Sequence, residues 1–600
     1  MLDRFVSERN IKFLLYEVFD IVSFTDYPFY KEYDRETFDM ILEAAMKLSK
    51  TVLWPKFREL DKNPPELEDG RIKVHPSVKS MLKKYGDGGW IGATVHEDHG
   101  GQQMPHLISD SCLFMFAAAN YSASAFALLS TGAAHLIELF GTQQMKSTYL
   151  PKILGGEWQG TMAMTEPHAG SSLADIIVSA EPAADGSYKI SGQKIFISAG
   201  DHDAVDNVVH MLLAKIKGAP PGVKGISLFL VPRKRVENGT LVPNDVSPSG
   251  IFHKLGYRGC PLTQLSFGEN EDCRGYLIGE PHKGLSYMFQ MMNEERIGVG
   301  IGAAAGATAA YYASLDYSRE RTQGRKVTEK DPTKPQVPII EHADVKRMLL
   351  FQRAVAEGSL SLLLQCSQYV DFQAVTDGAE KEKYIFLLDL LTPVAKSYPS
   401  EMGILSTSAG LQCFGGSGFC DEYPAEQYYR DARIHPIHEG TTGIHGIDLL
   451  GRKVTMQKGK ALELFLSEVR AAIAEAQKVP RLEVYAGKLV EALEKLQSIT
   501  AHLLARAGEQ GREYFLADAN LYLELFGIIA IAWQWILQAV PIAKALDADV
   551  ADNEKAFYEG KFFTFRYFFG YELPKIEGLL IRLLNGDGLT VEMKEELFAD

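Results

Sequence analysis

A change of periodicity in the middle of the chain does most to narrow its fold. Residues 188–198, 208–216, 225–231 and 262–267 are short runs rich in β-branched and aromatic side chains, separated by turn clusters such as Ala184-Asp185-Gly186 and Ala219-Pro220-Pro221-Gly222. Runs at this spacing predict an all-β module of about a hundred residues. The flanks read as helix. Residues 38–60 and 77–84 carry apolar residues three and four apart, and 113–140 is rich in Ala and Leu. Helical periodicity resumes near residue 284 and runs to about 450, with one polar, proline-containing break at 326–338 that reads as a loop insertion. It continues through 462–476, 482–504, 514–546 and 553–584. The expectation is a mostly α protein with a central β-barrel-like module and no internal repeat. Four domains follow: helical 1–160, β 161–280, a helical bundle 281–455 and a further helical domain 456–600.

A chain of 600 residues is too long for one core. Its 46% hydrophobic and 23% charged residues are ordinary for a globular protein, which excludes disordered and fibrous classes. A net charge of −15 argues against a nucleic-acid binder. Any anionic ligand must be held by local donors, because the global field repels it. The six cysteines form no CxxC pair and no disulfide framework, which fits a reducing compartment. The start, Met1-Leu2-Asp3-Arg4, shows no secretory signal, so a cytoplasmic protein is expected. Residues 111–137 lack Asp, Glu, Lys and Arg, and 525–543 reads LFGIIAIAWQWILQAVPIA, long enough to span a bilayer. Polar residues interrupt both, so each reads as a buried helix. Peripheral membrane contact through the second is the lesser reading.

Three motifs carry chemistry, each with a bland counterpart. Gly300-Ile301-Gly302-Ala303-Ala304-Ala305 matches a dinucleotide fingerprint, but the charged, helical Met291-to-Arg296 stretch precedes it where a strand is required. Small residues that let two helices approach are the better reading. His435, His438, Glu439 and His445 are good metal ligands in type, but the HExxH register is absent. The bland reading makes Glu439 a first-turn helix residue favoured by the dipole. Thr165-Glu166-Pro167-His168-Ala169-Gly170-Ser171-Ser172 is by composition a surface loop, whose small residues let backbone N–H groups approach a ligand.

That last loop resembles the TEPxAGS segment of flavin-dependent acyl-CoA dehydrogenases, and four further segments follow in that family's order. Lys194-Ile195-Phe196-Ile197-Ser198 is similar to its K-x-W-I-T strand and Arg321-Thr322-Gln323-Gly324 to its R-x-Q-F-G turn. Gln412-Cys413-Phe414-Gly415-Gly416-Ser417-Gly418-Phe419 resembles Q-x-x-G-G-x-G-[FY]. Tyr429-Arg430-Asp431-Ala432-Arg433 through His438-Glu439-Gly440-Thr441 resembles the R-D-A-[RK]…E-G-T ending. The segments span roughly residues 40 to 450. The C-terminal helical block is similar to the extension of a long subgroup that includes broad-range fatty acyl-CoA and 3-methylmercaptopropionyl-CoA dehydrogenases.

The resemblance implies FAD as cofactor, an acyl-CoA substrate oxidised to its trans-2-enoyl form, and electron-transfer flavoprotein as acceptor. It makes Glu439 the base that removes the weakly acidic α-proton, and its backbone N–H a donor to the thioester carbonyl. Burial beside flavin and acyl chain is expected to raise the pKa of such a base. For the flavin it implies Met162, Met164, Thr165, Gly170 and Ser171 at the ring edge, Phe196 stacked where Trp is usual, and Ile197 and Ser198 nearby. Arg321, Gln412, Gly415 and Gly416 would hold the pyrophosphate and adenosine of a neighbouring subunit's FAD, which implies a homodimer. Thr441 and Gly443 complete the cofactor set. Ser171, Asn293, Arg296 and Gly440 match substrate positions.

The sequence departs from the pattern in four places. The turn at Gln323-Gly324 lacks Phe, leaving Arg319 and Arg321 as rivals for the pyrophosphate, with Arg321 preferred. Gly443 stands where Gln is frequent, residues 326–338 enlarge a loop near the cofactor, and His438 replaces a common Tyr. An oxidase that uses oxygen and a non-catalytic relative are the alternative readings, and a metal hydrolase is a third. Acyl chain length is not legible.

Overall fold

The computed structural model describes residues 4–548 and 550–599. It divides into two compact units, Tyr33–Gly298 and a second formed by Met1–Glu32 with Val299–Asp600.

The first unit opens with helix α1 (Arg35–Leu48), started by Asp34, whose carboxylate accepts from Thr37 N at 2.7 Å. Helix α2 (Ser77–Asp87) follows, then the long α3 (His106–Phe140) and α4 (Gln143–Leu154). Asn120 interrupts α3 with non-helical backbone. Its side chain donates to Leu53 O at 3.2 Å and accepts from Ala123 N at 3.1 Å, so it caps the restarted helix.

The β module holds β1 (Trp158–Ala163), β2 (Ser179–Pro182), β3 (Tyr188–Ser198), β4 (Asn207–Ile216), β5 (Ile226–Pro232), β6 (Val246–Ile251), β7 (Leu262–Phe267) and β8 (Arg274–Ile278). They form one eight-stranded sheet in the order β6-β7-β3-β8-β5-β4-β1, with β2 pairing both β3 and β4. That double pairing curls the sheet, yet β1, β6 and β7 lie outside the curl, so it is barrel-like without being a closed barrel. Alternate residues of the strands, among them Ile190, Leu212, Phe229, Leu265 and Phe267, form its core. Strand β1 had no period-2 signal because all six of its residues are buried.

Helix α5 (Gly284–Glu320) runs from the end of the first unit into the second. There α6 (Ala343–Val375) and α7 (Gly378–Phe414) pack side by side, followed by α8 (Ala425–Ala432) and α9 (Thr442–Gly451). The C-terminal block adds α10 (Lys460–Gln477), α11 (Glu483–Gln510), α12 (Ala519–Asp547), α13 (Asp552–Tyr567) and α14 (Ile576–Asn585). Helix α12 packs against α7, α9, α10, α11 and α13, which explains why it is apolar on every side. It and α3 are both long and apolar enough to cross a membrane, and 83% of the most apolar window of each is buried. The N-terminal segment is tied into this unit by Lys561, which donates to Asn10 Oδ1 at 2.6 Å and Glu357 Oε2 at 2.8 Å. At Gly300 a Cβ would stand 2.3 Å from Ala395 O, so the small-residue run on α5 serves close approach to α7.

Candidate active site

In the first unit, β1 ends at Ala163 and the chain turns through Met164–Ser171. Three sets of bonds fix the turn. Glu166 and Ala169 exchange backbone hydrogen bonds at 3.0 and 3.1 Å, and Ile195 N donates to Thr165 O at 2.9 Å. Lys194, 0% exposed, donates from Nζ to Met164 O and to Glu166 Oε1, both at 2.8 Å. The Glu166 carboxylate also accepts from Ile177 N at 2.6 Å and Val178 N at 3.1 Å. Burial pulls the Lys194 ammonium down to about 8, and Glu166 opposes that fall.

Pinned this way, the loop presents Gly170 and Ser171 to solvent, with Met164 and Thr165 half-buried beside them. On β3, Phe196 adopts φ +57° and is 53% exposed, its ring 4.7 Å from that of Phe252. Ser198 is half-buried nearby in sequence, whereas Met162 and Ile197 point into the core, so only their backbone can serve a ligand. An exposed aromatic face next to a glycine-bearing loop is a surface on which a flat heteroaromatic ring can lie.

Asn293 and Arg296 stand on the first turns of α5. Asn293 Oδ1 accepts from Arg296 at 3.3 Å, and Arg296 is buried. The same turns border a cavity against α3, lined by Tyr85, Trp90, Thr94, His106, His135 and Glu294 among others. His135 Nδ1 lies 2.7 Å from Glu294 Oε2 and Nε2 lies 2.9 Å from Thr94 Oγ1. Burial drags the His135 pKa down, but Glu294 outweighs it and the net shift is upward. His135 likewise outweighs burial at Glu294 and lowers it, so the two form an ion pair. His106 is held neutral, its pKa pushed down to about 4 by burial.

In the second unit the loop between α8 and α9 carries Glu439. Glu439 is left-handed, φ +52°, and Gly440 follows at φ +92°. Glu439 therefore stands ahead of the helix, whose N-cap is Thr441, and the first-turn reading gives way. The first-turn reading missed this because Gly440 releases the backbone two residues before the helix starts. Two donors fix the turn: His445 Nε2 contacts Glu439 O at 3.1 Å, and Lys396 Nζ donates to Gly440 O at 2.7 Å. His438 Nε2 and His435 Nδ1 are 3.4 Å apart. Burial, then Lys396, pushes His438 down to about 3, and burial, His438 and Lys396 together hold His435 far below its usual range. Thr441 is exposed and Gly443 half-buried, with room for a side chain 3.7 Å from Thr441 Oγ1.

The structure also brings near one another two segments, some ninety positions apart in sequence, that the resemblance assigns to the pyrophosphate. Tyr317 stacks on Phe414 with centroids 4.3 Å apart, and its hydroxyl donates to Ser417 Oγ at 3.4 Å. Arg321, exposed at the end of α5, thus lies near the turn that bears Gln412, Gly415 and Gly416. Gly415 has φ +58°, and a Cβ on either glycine would meet only open space. Arg319 is engaged with Asp316 at 3.8 Å, which favours Arg321 for an anion. The loop 326–338 is closed by Gln323 N to Val337 O and Val337 N to Gly324 O, at 3.0 and 3.1 Å. Cys420, which ends this turn, is exposed, while the other five free thiols are buried.

Sequence reasoning missed Lys396 altogether. It lies mid-helix in an apolar stretch, Leu391-Thr392-Pro393-Val394-Ala395-Lys396, where a buried cation was the only signal. His445 entered only as a metal candidate; it serves the Glu439 carbonyl instead.

Family models match the chain in four consecutive stretches between residues 35 and 594. Residues 35–157 match the acyl-CoA dehydrogenase N-terminal domain, 161–269 the middle domain and 282–454 the C-terminal domain. Residues 465–594 match the acetyl-CoA dehydrogenase C-terminal-like domain. A butyryl-CoA dehydrogenase of Syntrophomonas wolfei is 34% identical, over 98% of this chain and 98% of its own length. The 3-methylmercaptopropionyl-CoA dehydrogenase of Ruegeria pomeroyi is 35% identical, over 87% of this chain and 89% of its own. The solved structure of an acyl-CoA dehydrogenase complexed with FAD from Bacillus anthracis shares the fold, with a TM-score of 0.74 at 21% identity, covering 98% of this chain and 93% of that one. The chain belongs to the acyl-CoA dehydrogenase family of FAD-dependent oxidoreductases.

Proposed function

We propose that this enzyme dehydrogenates a linear acyl-CoA across Cα and Cβ with Glu439 as the base, and that its electrons go on to electron-transfer flavoprotein. The observation that carries this reading is the backbone of Glu439 and Gly440. Glu439 is held in left-handed backbone ahead of its helix, with its own carbonyl tied to His445 and that of Gly440 to Lys396. The relatives named for butyryl-CoA and 3-methylmercaptopropionyl-CoA act by name on unbranched acyl groups, which supports a linear substrate.

The residues fit FAD. Met164, Thr165, Gly170, Ser171, Phe196 and Ser198 present a polar edge and an exposed aromatic face, and Arg321 with the open Gly415-Gly416 turn suits a pyrophosphate. In the second unit Thr441, two residues past the base, is exposed. When bound, FAD supplies the acceptor for the hydride that leaves Cβ. Glu439 takes the α-proton onto its carboxylate, the electron pair of that C–H bond becomes the new double bond, and the β-hydrogen departs with its own pair. The Glu439 N–H donates to the thioester carbonyl as charge grows on that oxygen. In the first unit, Ser171, Asn293 and Arg296 are assigned to the CoA part of the substrate, and in the second Gly440 to the thioester.

The reading places the enzyme in the cytoplasm as a homodimer. The six free thiols fit a reducing compartment. Anaerobic titration of the FAD-loaded protein with acyl-CoAs of increasing chain length tests the chemistry: bleaching of the flavin band supports it, and no bleaching with any of them refutes it. Rapid reoxidation by oxygen would identify an oxidase. Replacing Glu439 with Gln is expected to keep FAD and lower turnover by about 10²–10⁴-fold. Sedimentation analysis tests the dimer.

A further inference from the structure

We propose that Lys396 is a positioning residue for the base: its ammonium clamps the carbonyl of Gly440, and its charge keeps the neighbouring Glu439 carboxylate in the proton-accepting form. The proposal rests on Glu439 being the base. Lys396 is 0% exposed and comes from α7, a different element from the loop it holds. Its Nζ donates to Gly440 O at 2.7 Å, one residue beyond the base. A buried ammonium is costly and persists where its charge is used. His445 performs the mechanical half of the task from α9, bonding the preceding carbonyl, that of Glu439. A Cβ on Gly440 would stand 3.0 Å from His445 Nε2, so the two clamps leave that residue little room. Burial keeps His435 and His438 unprotonated, and the Lys396 charge acts in the same direction on both. The same positive charge, bonded one residue from Glu439 along the chain, favours an ionised carboxylate there.

The other ionisable groups around this turn are distributed over the elements packed against it. Glu401 on α7 accepts from Thr442 Oγ1 at 2.5 Å, and Glu524 on α12 feels Glu401. Glu426, Arg430 and Asp431 lie on α8, where Glu426 and Arg430 pair at 2.6 Å. Asp448 on α9 pairs with Arg452 at 2.7 Å. The two neutral histidines add no charge at working pH, so Lys396 is the cation bonded to the loop itself.

The test is the pH dependence of kcat/KM for the FAD-loaded full chain with butyryl-CoA and a dye acceptor. The acid limb reports the base in the free enzyme. Lys396→Met is expected to move that limb upward by about one pH unit or more, as loss of a nearby charge requires. It should also lower kcat by about 10²-fold, with KM little changed. Lys396→Arg, which keeps the charge, should leave the limb in place. His445→Gln should lower kcat without moving it. If Lys396→Met loses its flavin, Lys396→Gln carries the same prediction, because it keeps a donor and drops the charge. An acid limb unmoved in the uncharged variant, or moved in Lys396→Arg, overturns the proposal. Glu439→Gln separates the two claims: near-normal turnover there defeats the base assignment, whereas lost turnover with an unmoved limb in Lys396→Met defeats only the role of Lys396.

Discussion

The flavin-side loop of the first unit and the base loop of the second solve the same problem with different chemistry. Lys194 reaches the first loop from β3, the strand that also bears the left-handed Phe196, and Lys396 reaches the second, with its left-handed Glu439, from α7; both lysines are fully buried. Lys194 spends its charge on Glu166, whose remaining lone pairs take two backbone N–H groups, so the anchor is closed on itself. Both lysines also bond a backbone carbonyl, Lys194 that of Met164 and Lys396 that of Gly440, and the Lys396 charge is felt by the histidines around it. On the proposed roles, a loop beside a cofactor is served by rigidity and electrical silence, and a loop that carries a base by an anchor that keeps its charge available.

Removing Lys194 gives the largest effect that could break this comparison. Lys194→Met strands a buried carboxylate and is expected to destabilise the first unit by about 3–5 kcal/mol, seen in denaturant unfolding, with FAD lost early. The double variant Lys194→Met with Glu166→Leu should recover much of that cost. If Lys194→Met instead moves the acid limb of kcat/KM, the two anchors do not differ as described.

Acid stability comes next. Burial holds His202, His210 and His438 down to about 3 and His106 down to about 4, against 6.5 in the unfolded chain. Between those values the unfolded state binds more protons than the folded one, so stability falls as pH falls. Thermal unfolding is therefore expected to drop progressively from about pH 6.5 toward pH 4. The His135–Glu294 pair acts at the two ends of that range: Glu294, lowered below its usual 4.5, loses its contribution as pH falls through that pKa, and His135, raised above 6.5, loses its own as pH rises through it.

Much of this was legible beforehand, for stated reasons. The five ordered segments name residues whose backbone or side chain the structure leaves open, such as Gly170, Phe196 and Gly415, because ligand contact demands exposure that packing does not. The anchors were not legible. Lys194 was read only as part of a strand, and Lys396 lies mid-helix and 43 residues from Glu439, a contact that only the packing of α7 against the loop creates. The His106, His135 and Glu294 cluster gathers residues from two helices for the same reason. Strand β1 escaped because a strand buried on both faces loses its alternation. The first-turn reading of Glu439 failed on a backbone angle, which residue type sets only through the neighbouring glycine.

Gly440→Ala sharpens the comparison with a smaller effect. At φ +92° and with His445 3.0 Å away, a methyl group is expected to cost about 1–3 kcal/mol and to lower kcat while leaving FAD bound. Phe196→Ala is smaller still in stability, within about 0.5 kcal/mol because the ring is half in solvent. Its mark should be weaker FAD retention on gel filtration.

The distribution of thiols makes the molecule its own reporter. Cys112, Cys260, Cys273, Cys366 and Cys413 are inside, so a mild alkylating fluorophore applied to the native protein reacts at Cys420. That sulfur sits four residues past Gly416, whose carbonyl it touches at 3.6 Å. A label placed there reads the glycine turn in real time, and occupancy of the anion-holding segment becomes a fluorescence signal that needs no turnover.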